Sequence, residues 1–327
     1  MAYVLSSSTA ELLDEFLEAE KPKVSAQGYT MLAGTARRVL QWFDDEELDV
    51  TEVGITDAVR FASSLSERLT REGSAIGVGT IRNYLKVSRR FFDYLVQIGK
   101  LGSNPFRELR YPKMNDHLSR NVLSEAQMGR LLRELTRFDE LPDHREELRR
   151  YRVHVLSEFL YATGLRIAEA CSLKASNIDL EHRLVYVPKG KGGAPRTAFL
   201  TPFAADVMRL YLESGRAQVL GAYARQNKGI LFGAEKDRVA AVVNAELKKV
   251  CQELELPVIT SHGFRHSLGT HLLRSGCDMR HIQAILGHEA LQTTQIYTRV
   301  DKEDLKKSLD EHHPRHWAKG TAVQAPA

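Results

Sequence analysis

Six side chains in the second half of this 327-residue sequence share one chemical aptitude. Arg166, Lys191, His262, Arg265, His288 and Tyr297 supply two guanidinium groups, an ammonium, two imidazoles and a phenol. Guanidinium is a planar fork of donors suited to phosphate oxygens. A phosphate under attack gains negative charge on its equatorial oxygens, and fixed donors stabilise that charge. A tyrosine hydroxyl can be the attacking group and hold the phosphoryl as an ester. No cluster of carboxylates accompanies the set to hold Mg²⁺. The chemistry that fits is therefore phosphoryl transfer driven by side-chain cations, with no cofactor and no metal.

These residues fall in four places where hydrophobic patterning does not ask for polar groups. Arg166 stands among apolar neighbours in Thr163-Gly164-Leu165-Arg166-Ile167-Ala168-Glu169, at a helix start. Lys189 and Lys191 lie in a glycine-rich turn, and either could be the lysine of the set. His262 and Arg265, in His262-Gly263-Phe264-Arg265-His266, share a face if the segment is helical and can converge on one anion. Gly287-His288-Glu289 leads to Thr293-Thr294 and Tyr297. Each place alone fits something plainer: a capped helix, a basic turn, an exposed cap, a core tyrosine. Their combination is what points to chemistry. A zinc site on His262, His266 and His288 fits poorly, because no HExxH pattern is present and Arg265 would repel a cation.

The elements that must position these groups are mostly helices. In the first part, Leu12, Leu13, Phe16 and Leu17 mark a helix that Thr9 would cap. A second is expected over residues 26–44, a third from about 56, and a fourth, stronger one over 80–98, with Ile81, Tyr84, Leu85, Phe91, Phe92 and Leu95 turned inward. On that fourth helix Arg82, Lys86, Arg89 and Arg90 line another stripe, with no acidic residue between Thr80 and Phe92. Such a stripe is either a solvated face or a surface for DNA phosphates, and these four are the candidate DNA contacts. Asn104-Pro105 and Tyr111-Pro112 punctuate the chain, and a linker is expected over 111–120. Beyond it, Ser124 and Gln127 form a capping box. Residues 184–187 and 197–200 read as a hairpin around Gly190-Lys191-Gly192-Gly193-Ala194-Pro195. Helices are expected again over 203–214, 240–254, 266–275, 278–286 and 302–311. The expected class is mainly α with a small β insertion, in two domains: helical residues 1–110 and a mixed second domain, 121–318, before a short tail, 319–327.

Composition bounds the answer. With 43% hydrophobic and 27% charged residues the chain is neither disordered nor fibrous. No apolar run approaches the ~20 residues that span a bilayer. Three scattered cysteines, Cys171, Cys251 and Cys277, exclude a disulfide scaffold and a CxxC zinc site. The N-terminus lacks a basic, apolar leader pattern, so a cytoplasmic protein without membrane partners is expected. Basic residues number 46 and acidic 42. Residues 1–117 hold 15 basic and 17 acidic, so the positive excess lies in the second part.

The ordered motifs resemble those of the tyrosine recombinases, the phage-integrase family. They are Thr-Gly-Leu-Arg166-x-x-Glu169, Gly190-Lys191-Gly-x-x-x-Arg196, His262-x-x-Arg265-His266 and Gly287-His288-x-x-x-x-Thr-Thr-x-x-Tyr297. The first part is similar to the family's core-binding domain at Tyr84-Leu85, Arg90, Phe92, Tyr94-Leu95 and Asn104-Pro105, and His313-Pro314-Arg315 is most like the Xer-type branch.

That resemblance implies roles. Tyr297 would attack a DNA phosphate, leaving a 3′-phosphotyrosine and a 5′-hydroxyl. Arg166 and Arg265 would clamp the nonbridging oxygens. Lys191 would protonate the leaving oxygen, His262 would assist deprotonation of Tyr297, His288 would hydrogen-bond the phosphate, and Glu169 would be structural. It also implies double-stranded DNA with paired inverted sites, a homotetramer (or a hetero-tetramer with a paralogue), a four-way junction intermediate, and a last helix docked on a neighbouring subunit. The biological task would be resolution of chromosome or plasmid dimers, or integration and excision of a mobile element. A type IB topoisomerase-like enzyme and a DNA-binding protein without activity are the alternatives.

Overall fold

The computed structural model describes the chain except residues 1–4, 69–74, 113–121, 139–140, 142, 189–194, 222–228, 234, 288–301 and 316–327. The chain divides into two compact units, residues 1–117 and 118–327. Both are helical, and the second carries a small antiparallel sheet.

Four helices build the first unit: α1 (Ser7–Glu20), α2 (Ala26–Asp45), α3 (Ile55–Glu67) and α4 (Val78–Gln97). The start of α1 differs from the expected one. Ser6, not Thr9, is the cap: its hydroxyl accepts from the Thr9 N–H at 3.4 Å, while Ser6 N–H and Thr9 Oγ1 donate to Asp44 at 2.8 and 2.9 Å. The long-range tie to the end of α2 overrides the local cap signal. α4 likewise begins at Val78, two residues early, so Gly79 is helical. Inside, Phe43, Phe61, Phe92 and Phe106 are fully buried; Phe43 and Phe61 stack and the other pairs meet edge-on or tilted, with centroids 4.9 to 6.4 Å apart. Each such ring contributes roughly 1.5–3 kcal/mol of burial.

The second unit is wound around α6 (His144–Thr163). Before it, α5 (Glu125–Glu134) opens with the expected capping box: Ser124 Oγ accepts from Gln127 N–H at 3.2 Å and Gln127 Oε1 accepts from Ser124 N–H at 2.9 Å. After it come α7 (Ile167–Ser172), then β1 (Ile178–Asp179), β2 (Leu184–Val187) and β3 (Arg196–Phe199). The sheet order is β1-β2-β3, all antiparallel, with Val187 opposite Arg196 at the end of the hairpin next to the β2–β3 connection. The chain continues through α8 (Pro202–Leu210), a π-helical turn over Tyr211–Gly215, α9 (Arg216–Leu220), α10 (Lys236–Glu253), α11 (Ser261–Arg274), α12 (Met279–Leu286) and α13 (Lys302–His312). α11 starts five residues before the expected 266, because the Ser261 N–H finds Asn244 Oδ1 of α10 at 2.8 Å. No helix among the described residues is long and apolar enough to cross a membrane.

α6 is buried along its whole last three turns and packs against α5, α8, α9, α10 and α11. Its charged N-terminal turns are structural at Arg150, whose guanidinium reaches buried Glu246 on α10 at 2.8 Å. At the other end, His313 Nε2–H donates to Tyr161 O at 3.1 Å and Arg315 pairs with buried Glu158, so His313-Pro314-Arg315 is pinned to α6. The Tyr161 hydroxyl donates to His271 Nδ1 at 2.6 Å, because His271 Nε2 must carry the proton it gives to Leu123 O at 2.8 Å.

The π-turn has a steric partner. A β-carbon on Gly215 would fall 2.6 and 2.8 Å from Tyr151 Cε1 and Cζ, and closer still to the hydroxyl. That hydroxyl is buried with no hydrogen-bond partner among the described residues, and burial pushes its pKa up to about 12. Gly215→Ala should therefore destabilise the second unit by about 1–3 kcal/mol in urea unfolding. Adding Tyr151→Phe, which removes the nearest clashing atom and an unsatisfied group, should recover part of that loss.

Candidate active site

The site is assembled where α6 stops. Gly164 ends the helix in the left-handed region, at φ +63°. A β-carbon there would lie 2.7 Å from Leu286 Cδ2 and 3.0 Å from Leu268 Cδ2, so packing as well as conformation requires glycine. Leu165 is buried, and the chain restarts as α7 with Arg166 as N-cap. Glu169, three residues on, accepts from the Arg166 backbone N–H at 2.8 Å through Oε2. Its Oε1 is 3.6 Å from Arg166 Nη1, and the Arg166 side chain stays 52% exposed.

Arg265 enters from α11. It is 4% exposed, and its Nη1 donates to the Gly164 carbonyl at 2.7 Å. Its Nη2 is buried and has no hydrogen-bond partner among the described residues. Burial, then the charges of Arg166 and Arg196, push its pKa down to about 10, with Glu169 pulling the other way. His262, one turn earlier and exposed, is held below the ordinary histidine value by partial desolvation and then by His266, Arg265 and Arg166. It is therefore neutral at neutral pH and able to accept a proton. Its ring stands perpendicular to that of His266, centroids 4.6 Å apart.

Arg196, at the start of β3, completes the cluster. The sequence shows it as the last residue of the Gly-Lys-Gly-x-x-x-Arg run but assigns it no role. Its Nη2 donates to Glu169 Oε1 and Oε2 at 3.2 and 3.1 Å, and its Nη1 is buried without a partner among the described residues. Arg166 and Arg196 thus share one carboxylate, while Arg265 beside them keeps a buried nitrogen that meets no acceptor among the described residues. An unmet buried donor costs about 1–3 kcal/mol. A tetrahedral oxyanion is the ligand that relieves it.

Of the six expected site residues, Arg166, His262 and Arg265 are brought together. Lys191, with its neighbour Lys189, and His288 and Tyr297 lie outside the described residues. Among the described residues, no group of three His, Cys, Asp or Glu could hold a metal ion.

The four candidate cations of the first unit all lie on α4, in different circumstances. Arg89 donates to the carbonyls of Phe106, Arg107 and Leu109 at 3.0 to 3.2 Å. Arg82 donates to Pro112 O at 2.8 Å. Both guanidinium groups lie over the Tyr111 ring, at 4.7 and 5.3 Å from its centre. Arg90 pairs with buried Glu20. Lys86 is exposed and has no ion pair among the described residues. Intramolecular partners for three of the four are not legible in the sequence, since the acceptors are backbone carbonyls and a glutamate 70 residues away in the chain.

A model of the phage integrase family matches residues 121–304. The tyrosine recombinase XerD of Vibrio cholerae serotype O1 is 32% identical over 282 residues, spanning 85% of this chain and 87% of that protein. The tyrosine recombinase XerC of Bacillus licheniformis is 35% identical over 242 residues, spanning 72% and 75%. Two solved structures share the fold: XerH site-specific recombinase bound to its difH substrate (TM-score 0.60, 19% identity, 91% of this chain and 84% of that one) and a lambda integrase dimer bound to a COC′ core site (TM-score 0.60, 13% identity, 86% and 95%).

If the buried donors form an anion site, inorganic phosphate should raise the unfolding midpoint of the wild type. At tenfold over its Kd the gain should be about 1.4 kcal/mol. In Arg265→Ala, calorimetry should find that gain abolished.

Proposed function

The chain belongs to the phage integrase family, the tyrosine recombinases, and from that premise we propose that it cleaves and rejoins DNA through a covalent bond to Tyr297. The observation that carries the reading is the buried Arg265 guanidinium nitrogen that finds no partner among the described residues, held beside Arg166 and a neutral His262. The relatives' names supply the reaction class, site-specific recombination by an Xer-type enzyme.

In the proposed reaction the Tyr297 oxygen attacks phosphorus as its proton passes to His262. The bond from phosphorus to the 5′-oxygen breaks, and Lys191 gives that oxygen a proton. The products are a 3′-phosphotyrosine and a free 5′-hydroxyl. Arg166 and Arg265 hold the nonbridging oxygens and gain strength as charge builds there, with His288 as a further donor. The ester conserves the energy of the broken phosphodiester, so the 5′-hydroxyl of a partner strand can reverse the step without a nucleotide cofactor. Two rounds would pass through a four-way junction on paired inverted sites within a tetramer. Lys86 and the basic face of α4 are the proposed phosphate contacts of the first unit. Resolution of replicon dimers is the task we favour, since the full-length relatives carry Xer names. A topoisomerase-like enzyme would relax supercoils and yield no junctions.

Covalent capture tests the reading. Wild-type protein is incubated with sheared DNA from its own genome, denatured, and the protein-linked fragments sequenced. Adducts should concentrate at a paired-repeat site and vanish in Tyr297→Phe, which should still shift the same fragment in a gel. Adducts that persist in the variant would sink the assignment of Tyr297.

The pH dependence has a defined sign. His262 must be deprotonated to act, and its surroundings lower its pKa. Cleavage should therefore be flat through neutral pH and fall only on the acid side of the ordinary histidine value. His262→Gln should cleave more slowly and lose that acid limb. A limb unchanged in the variant would assign it to another group.

A further inference from the structure

Arg196 does more than fill a corner of the cluster. Its side chain is only 18% exposed, and it touches two segments that belong to different motifs. On one side its Nη2 spans both oxygens of Glu169, at 3.2 and 3.1 Å. Glu169 in turn fixes the backbone N–H of Arg166 at 2.8 Å and so sets where α7 begins. On the other side the guanidinium lies under the backbone of Gly287, where an added β-carbon would come 2.7 Å from Arg196 Cδ and Nε and 2.8 Å from Cζ. Gly287 is the left-handed cap of α12, at φ +66°, with its N–H on Gln283 O at 2.9 Å and Ala284 O at 3.1 Å. The next residue in the chain is His288. Arg196 itself opens β3, paired across the hairpin with Val187. One side chain thus joins the end of the hairpin, the start of α7 and the end of α12.

We propose that Arg196 is a positioning residue for DNA cleavage: it clamps Glu169, and through it Arg166, against the Gly287 turn that leads to His288. The role rests on the recombinase reading above. Its chemistry is that of a rigid plane. One nitrogen, Nη2, meets both carboxylate oxygens while the flat guanidinium behind it rests against Gly287, a pair of contacts that a flexible lysine ammonium does not reproduce. The tight approach at Gly287 gives the arrangement its second fixed point. With both points held, the Arg166 donors meet the phosphate without reorganising during the reaction.

The test uses the full-length protein and a duplex containing the fragment captured by the wild type. Arg196→Ala should lower the rate of covalent adduct formation by about 10²-fold, the scale of a misplaced reacting group, with duplex affinity held within about twofold. Arg196→Lys should recover about tenfold of that loss and no more, since it restores the charge without the plane that rests on Gly287. A duplex with a 5′-bridging sulfur at the scissile phosphate should rescue Lys191→Ala and leave Arg196→Ala slow, because Arg196 acts on the phosphate side and not on the leaving group. Gly287→Ala should slow cleavage in the wild-type background and slow it less in Arg196→Ala, where only the strain of a left-handed alanine remains, a non-additivity that reports contact.

A fall in duplex affinity matching the fall in rate would make Arg196 a DNA contact and overturn the proposal. Rescue of Arg196→Ala by the sulfur, full recovery in Arg196→Lys, or strict additivity with Gly287→Ala would also overturn it. Adducts at the wild-type rate in Arg196→Ala would remove this role and leave the recombinase reading standing. No adduct with the wild type would overturn the reading itself, and this role with it.

Discussion

The second unit depends on one hydrogen bond, from the Arg265 guanidinium to the carbonyl of Gly164. It joins the helix that carries the site's histidine to the helix that forms the unit's core. Gly164 must be glycine for two reasons at once, its left-handed backbone and the leucines packed on it. The turn it makes sends the chain straight into Leu165 and Arg166. A buried cation therefore marks the end of α6, and the residue that follows the turn is aimed at the same place. The core and the site are not separate layers here. The carbonyl that would otherwise be an orphan at the helix end is what holds the cation in position.

The arrangement carries a cost that is useful. Arg265 is desolvated, crowded by two other arginines and short of acceptors. Such a site is unstable relative to one with a bound oxyanion, and that difference is available for binding. Because the donors are already fixed by Glu169, Gly164 and the packing around them, little reorganisation is needed when charge develops. The single carboxylate matters as much as the cations. Without it, Arg166 and Arg196 would repel each other toward solvent; with a second one, the charge would be neutralised from within.

Much of this could be read from residues alone, and the failures have physical causes. The Ser124–Gln127 capping box, the hairpin and the amphipathic α4 appear as expected, since each has a local signature. α6 has none. It is buried on nearly every side through Val153–Thr163, so it shows no apolar stripe to mark it. β1, two residues long, is too short to carry a pattern. The start of α1 was misplaced because Asp44, 35 residues away, decides which hydroxyl caps the helix. Arg166, His262 and Arg265 stood out as arginines and a histidine where patterning wanted none. Arg196 was present in the same motif but silent, because its partners come from α7 and the end of α12. A sequence shows that a cation is out of place; only three dimensions show what it holds.

The histidines lead to a different consequence. Residues 1–112 contain none, whereas α6 and α11 bury His154 and His271 in the second unit. His154 is enclosed with no hydrogen-bond partner among the described residues, and burial lowers its pKa to about 3; His271 is lowered as well, with burial again the largest cause. Both are neutral in the fold and would take up a proton on unfolding in acid. Since their folded values lie below the unfolded ones, the stability they carry is present above the unfolded histidine value, near 6.5, and drains away as the pH falls below it. Mild acid therefore loosens the unit that holds the site through buried histidines, which the described residues of the first unit lack. The two units, alike in being helical, are unlike as proton sinks.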